Sequence, residues 1–268
     1  MEPLSYSRTT LLKLLRKDSH GIWQSVKSLF HGFGSNEAAK TLFGSGMVTL
    51  PGFINEDTCK ALNEQLNEIK TQYTDPDGNV VHKIPSISQL IPLIKEIPDH
   101  AIQDLLHTVS GKRIERFQNR ACFRNADDIQ TPYRTGRLSP MVFTAYLLVR
   151  DMNEEEAPIA LIPKSHRFSF RPYLRWIIHT LRGTHKAALE VIDPSKTLKL
   201  TGKKGDLILL NQNTYHTQLT PPTTESLCHL EFEYMVITRL SDLHQAAREN
   251  WAQITENPFG QAVGLEPS

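Results

Sequence analysis

The chain has 268 residues, 39% of them hydrophobic and 22% charged, which is enough apolar mass for one large domain with its own core. A formal net charge of +1 excludes bulk electrostatic attraction to nucleic acid or to a membrane surface. No run approaches ~18 consecutive apolar residues, so no transmembrane helix is expected.

Residues 1–34 read as one or two basic amphipathic helices, "TTLLKLLRK" and "GIWQSVKSLF", with Leu11, Leu12, Leu15 and then Ile22, Trp23, Val26, Leu29 at helical spacing. Their apolar side is expected to pack on the domain, with a membrane-surface anchor as the alternative. "LLKLL" is too short and too charged at its flanks for a signal-peptide core. Next, "GMVTLPGFINEDTCKALNEQLNEIK" predicts a strand over Met47 to Leu50, a Pro51-Gly52 turn and a helix capped by Asn55. Ala61, Leu62, Leu66 and Ile69 form its buried stripe, and "TDPDGN" closes the unit as a loop. A helical zone over roughly residues 86–110 follows.

From Arg116 onward the pattern becomes strands. "RFQNRACFRN", "MVFTAYLLV", "IALIP", "TLKL", "DLILL" and "LCHLEFEYMVI" are short, rich in aromatic and β-branched residues, and separated by turns. Helices first and short strands afterwards predict a mainly β fold with flanking helices. Residues 1–44 form the N-terminal helical segment and 45–268 the β-rich domain, one structural domain overall. Cys59, Cys122 and Cys228 are odd in number and lack CxxC spacing, which suits a reducing, cytoplasmic setting and argues against a disulfide framework or a zinc knuckle.

Three segments in one order carry a resemblance. "GMVTLPGFINEDTCKAL", the hairpin "LLVRDMNEEEAPIALIPKSHRF" and the strand "GDLILLNQNTYH" resemble the phytanoyl-CoA dioxygenase family, spanning most of residues 45–238. The resemblance implies a double-stranded β-helix, a jelly-roll or cupin-like core. It also implies Fe(II) held by a His-x-Asp pair and a distal His, and 2-oxoglutarate held by an Arg shortly after that His. Two imidazoles and a carboxylate leave three iron positions open for the oxoacid and O₂. The arginine fork fixes the remote carboxylate.

His216 matches the distal ligand. The pair should fall within "NADDIQTPYRTGRLSP", which contains no histidine; the best register puts Arg134, Thr135 and Gly136 there. A guanidinium stays protonated and cannot ligate iron. Asp127 or Asp128 can supply a carboxylate but no imidazole. Where the oxoacid arginine should stand are Glu225, Ser226 and Leu227, with His229 the nearest basic residue. His166 in "PKSHRF" matches a structural turn histidine of the family; Lys164 replaces its glycine, so a glycine-only geometry is not expected there.

These departures leave two readings open. In one, the iron and oxoacid sites are lost. The cavity then binds a small organic molecule or acts on it without oxygen, with His216, Arg134 and Tyr133 as proton-transfer and anion-holding groups. Arg134 and Arg137 turn the old cofactor cavity into an anion site. A silent variant is a partner subunit that dimerises with an active relative or with itself. In the other, the chain is a working Fe(II)/2-oxoglutarate oxygenase with atypical ligands: His216 with Asp128, His229 or Glu231. His229 and Glu231 alternate on one strand face, but the same pattern describes the polar side of an amphipathic strand whose other side is Cys228, Leu230, Phe232 and Tyr234. The insert "RFSFRPYLRWIIHTLRGTHK" carries Arg167, Arg171, Arg175, Arg182 and Lys186, a solvated face or an attractor of carboxylate, phosphate or coenzyme A.

Overall fold

The computed structural model describes residues 36–74, 83–124, 142–157, 159–166, 197–219 and 227–237. The N-terminal helices of residues 1–34, the "TDPDGN" loop beyond Thr74, and the basic insert from Arg167 on lie outside the described residues.

Helix α1, Glu37–Ser45, begins where the Asn36 side chain accepts a hydrogen bond from Ala39 N, and it stops at Gly46 with φ 89°. Strand β1, Met47–Leu50, follows, then helix α2, Glu56–Gln72, capped by Asn55 Oδ1 on Thr58 N at 2.8 Å. Both the strand and the cap fall where the sequence predicts. The stripe that α2 buries is Cys59, Leu62, Leu66 and Ile69, with Ala61 half-buried at its margin. Strand β2, Lys83–Pro85, leads to a short helix α3, Ile87–Leu90, a 3₁₀ turn over Pro92–Glu96 and helix α4, Asp99–Ser110. No helix among the described residues is long and apolar enough to cross a membrane.

Seven further strands build the body: β3 Arg113–Arg124, β4 Val142–Leu147, β5 Ile159–Leu161, β6 Leu198–Lys199, β7 Leu207–Asn211, β8 His216–Gln218 and β9 Leu227–Ile237. With β1 and β2 they form an antiparallel six-stranded sheet in the order β1-β7-β4-β9-β3-β2 and a three-stranded sheet in the order β6-β5-β8. This is a jelly-roll core with flanking helices.

Because side chains alternate along each strand, the larger sheet has two faces with different partners. Its outer face carries Phe123, Phe143, Ala145, Leu147, Leu209, Leu230, Phe232 and Tyr234. These pack with Ala39, Leu42, Leu62, Leu66, Ile102 and Leu106 of the helices. Burying each such large side chain stabilises the fold by about 1.5–3 kcal/mol. The inner face meets the smaller sheet through Tyr146, Ile208 and Leu210 against Ile159 and Leu161. Both faces are therefore covered, and any polar group on the inner face must find its partners inside the protein.

The turn from Pro163 to His166 ties three elements together. Lys164 N donates to Ser45 O at 2.7 Å, and the Ser165 hydroxyl donates to Ile162 O and accepts from Tyr215 N. His166 Nε2 donates to Phe43 O at 2.9 Å. The sequence expectation for Lys164 is corrected here. It sits at φ 66°, so the left-handed geometry persists without glycine. Three anchored neighbours hold the backbone there, at a cost of about 1–2 kcal/mol for a residue bearing a Cβ. Lys164→Gly is expected to raise unfolding stability by about 0.5–1 kcal/mol in urea titration, the relief exceeding the added chain entropy of glycine.

Candidate functional site

A ladder of polar side chains runs up the inner face of β3, β9 and β4. Gln118 lies opposite Glu233, Arg120 opposite Glu231 and Cys122 opposite His229; on the other side of β9, Thr144 and Tyr146 pair with Glu233 and Glu231. The register of β3 shifts between Arg116 and Gln118. That bulge inverts the alternation. Arg116 stays outside over the Phe232 ring, 5.8 Å from its centroid, while Gln118, Arg120 and Cys122 turn inward.

Arg120 is the centre of the ladder. Its Nε donates to Glu231 Oε2 at 2.5 Å, its NH2 to Glu233 Oε1 at 2.5 Å and its NH1 to Gln118 Oε1 at 2.7 Å. The Gln212 amide adds donors to Thr144 Oγ1 and Glu233 Oε1. Glu231 Oε1 faces His229 Nε2 at 3.1 Å, and the Tyr146 ring walls the histidine at 5.7 Å between centroids. His229 and Glu231 are each 2% exposed.

Burial of this depth disfavours every charge, and the neighbours decide which charges survive. Burial raises the Glu231 carboxyl, but the Arg120 guanidinium and the His229 hydrogen bond outweigh it and hold the group well below the usual carboxylate range. Glu233 moves the other way: burial and the adjacent Glu231 charge lift it, against the pull of Arg120. Arg120 is locked as a cation, its burial overcome by the two carboxylates. Burial, then the Glu231 charge, push the Cys122 thiol and the Tyr146 phenol well up, so both stay protonated. A protonated, buried Cys122 is no nucleophile.

His229, Glu231 and Glu233 thus form the polar side of a strand, but that side is interior rather than solvated. The sulfur of Cys122, a ring nitrogen of His229 and a carboxylate oxygen of Glu231 all lie within 4.8 Å of one another. The sequence points to neither Arg120 nor Tyr146, and to Cys122 only as one of three cysteines without CxxC spacing. The available signal was the period-two polarity of Gln118, Arg120 and Cys122 in "QNRAC", opposite Ala121 and Phe123.

His216 sits elsewhere. Strand β8 pairs with β5 in the smaller sheet, His216 opposite Leu161. Leu161 packs in the inner cluster, and cross-strand partners share a face, so the imidazole also points between the sheets. Its Nδ1 is 2.7 Å from Thr214 O. A carbonyl only accepts, so Nδ1 carries the proton and the lone pair of the neutral ring is on Nε2, the form a metal-binding histidine takes. Tyr133, Arg134, Arg137, Asp127, Asp128, Glu225 and Ser226 lie outside the described residues.

The donor chemistry decides how far the described residues suit Fe(II) and 2-oxoglutarate. His216 suits a metal. Arg120 does not suit the oxoacid: its guanidinium is already bound to two buried carboxylates, and a third would displace one of them.

No protein-family model and no curated protein sequence matches the chain. Solved structures do match in shape. HygX from Streptomyces hygroscopicus, with nickel and 2-oxoglutarate bound, superposes with a TM-score of 0.59 at 16% identity, over 76% of this chain and 88% of that one. AviO1 from Streptomyces viridochromogenes Tue57 gives 0.60 at 10% identity, over 77% and 97%. EctD from S. alaskensis with bound Fe gives 0.57 at 16% identity, over 77% and 78%. At this level of identity the likeness speaks for architecture: the chain has the two-sheet jelly-roll fold of solved structures that carry 2-oxoglutarate, nickel or iron.

Proposed function

We propose that this chain uses the oxygenase-type jelly roll to bind a small organic molecule between its sheets, without the oxoacid-dependent oxidation that the resemblance to phytanoyl-CoA dioxygenases implies. It works as a non-oxidative enzyme or as a non-catalytic partner subunit. The observation that carries the reading is the commitment of Arg120 to Glu231 and Glu233, each at 2.5 Å. A guanidinium so engaged cannot clamp a dicarboxylate without leaving a buried acid unpaired, which costs several kcal/mol.

One observation favours a second reading, an active oxygenase with an atypical ligand set. It is the Nδ1 hydrogen bond of His216 to Thr214 O, which puts the lone pair of the neutral ring on Nε2, the tautomer of a metal-binding histidine. Purified protein supplied with Fe(II) or Mn(II) and 2-oxoglutarate separates the two. Calorimetry is expected to show no saturable 2-oxoglutarate binding, and no succinate should form. Saturable binding with succinate release, both lost in His216→Ala, would overturn the first reading and establish the second. Native mass measurement of the same sample reports any homodimer.

A further inference from the structure

The strands β3 and β9 bring together three residues of different chemistry, Cys122, His229 and Glu231. Cys122 and His229 are direct cross-strand partners, and Glu231 follows His229 by two residues on the same face. All three are buried, and their ligand atoms lie within 4.8 Å of one another.

His229 supplies the second observation. Its Nε2 lies 3.1 Å from Glu231 Oε1, which accepts a hydrogen bond from it, so the two donor atoms already face each other. Among the described residues the Nδ1 atom has no hydrogen-bond partner, although the ring is almost wholly buried. A buried polar atom without a partner costs about 1–3 kcal/mol, and Nδ1 can carry the proton of the ring when Nε2 turns its lone pair to a cation.

We propose that Cys122, His229 and Glu231 form a binding site for a zinc-type divalent cation. The donor set of one thiolate, one imidazole and one carboxylate is that of a borderline-soft cation in tetrahedral geometry rather than of magnesium or calcium. In tetrahedral zinc the donors stand about 3.3–3.6 Å apart, so gathering these three needs side-chain movement of about an ångström. Binding replaces the Cys122 S–H bond with a sulfur–metal bond and releases that proton, while the His229 Nε2–H proton is given up as Nδ1 takes one, so the neutral imidazole ligates through Nε2. The outer shell is already built: Glu231 Oε2 is held by Arg120, which is held in turn by Gln118 and Glu233. Such partners orient a ligating carboxylate and sharpen its affinity. Three protein donors leave the fourth position for water or for an atom of the small molecule.

His216, on the smaller sheet, is not one of the three donors, and the proposal does not rest on the oxoacid reading. The test is a titration of chelator-stripped full-length protein with Zn(II) and with Co(II), in the absence of 2-oxoglutarate. One equivalent should bind, and the cobalt form should show thiolate-to-cobalt charge transfer with the intense visible bands of a tetrahedral ion. Cys122→Ser should abolish the charge-transfer band, and His229→Gln should weaken Zn(II) affinity by more than about 10-fold. His216→Ala, on the opposite sheet, should leave both readouts unchanged. The wild-type cobalt spectrum decides the matter even where a variant does not fold. No stoichiometric uptake, uptake without a thiolate band, or uptake lost equally in His216→Ala would each overturn the proposal.

Discussion

Arg120→Ala is expected to destabilise the protein by about 3–5 kcal/mol, a third or more of the stability of an ordinary domain. The guanidinium side chain is 15% exposed and its two carboxylate partners are 3% and 12% exposed. Removing the cation leaves two like charges about one strand repeat apart in a water-poor interior, with nothing to offset their desolvation. The loss should be read in urea or thermal unfolding. The triple variant Arg120→Met, Glu231→Met, Glu233→Leu removes all three charges together. It is expected to recover most of that loss, since apolar groups of similar volume replace a buried ion-pair triad at little or no cost. An Arg120→Ala protein within 1 kcal/mol of its parent would show that water, not the guanidinium, satisfies these acids.

The same triad sets opposite pH signatures for its two acids. Glu231 has a folded pKa well below the ordinary 4.5, so its contribution is present above that value and is lost as pH falls through the folded pKa. Glu233 has a folded pKa above 4.5. Its contribution is therefore present at low pH and is lost as pH rises through the elevated value. Stability measured from acid to neutral pH should accordingly lose part of its acid fall in Glu231→Gln and part of its fall above 4.5 in Glu233→Gln.

How much of this the sequence displayed depends on the range of the physics involved. The helix α2 with its Asn55 cap, the strand β1 and the strands β3, β4, β7 and β9 are encoded by side chains within a few residues of one another, and they lie where alternation and capping put them. The jelly-roll architecture followed from the order of elements and the family resemblance. The polar ladder did not, for two reasons. Alternation on β9 separates two faces but does not say which is wet, and here the smaller sheet covers the polar one. The bulge near Phe117, which turns Arg120 and Cys122 inward, is a property of pairing with β9 and has no signature in β3 alone. His216 stands out in the sequence as the match to a distal ligand, whereas its sheet does not, because β8 pairs with β5 across more than fifty residues.

Gly46→Ala is the second large effect expected, a loss of about 2–5 kcal/mol. Gly46 closes α1 at φ 89°, where any residue with a Cβ is penalised by about 1–2 kcal/mol. The space is also filled. A Cβ built there would stand 2.3 Å from Thr214 Oγ1 and 2.6 Å from His166 Nδ1, far inside normal contact, and such overpacking adds about 1–3 kcal/mol. Relief by movement is costly because Gly46 O accepts from Asn211 N at 2.8 Å and Thr214 O holds the His216 ring. The clash therefore propagates along the β7–β8 connection to the inward imidazole. Thr214→Ala, which removes the hydroxyl nearest the added carbon, should recover part of the steric loss in the Gly46→Ala background while costing stability in the parent. A double-mutant cycle by urea unfolding reads this as a coupling of 0.5 kcal/mol or more, on the scale of about 0.5–3 kcal/mol for residues in contact. Simple additivity of the two substitutions would mean that the α1 terminus and the His216 turn are not packed together as the structure has them.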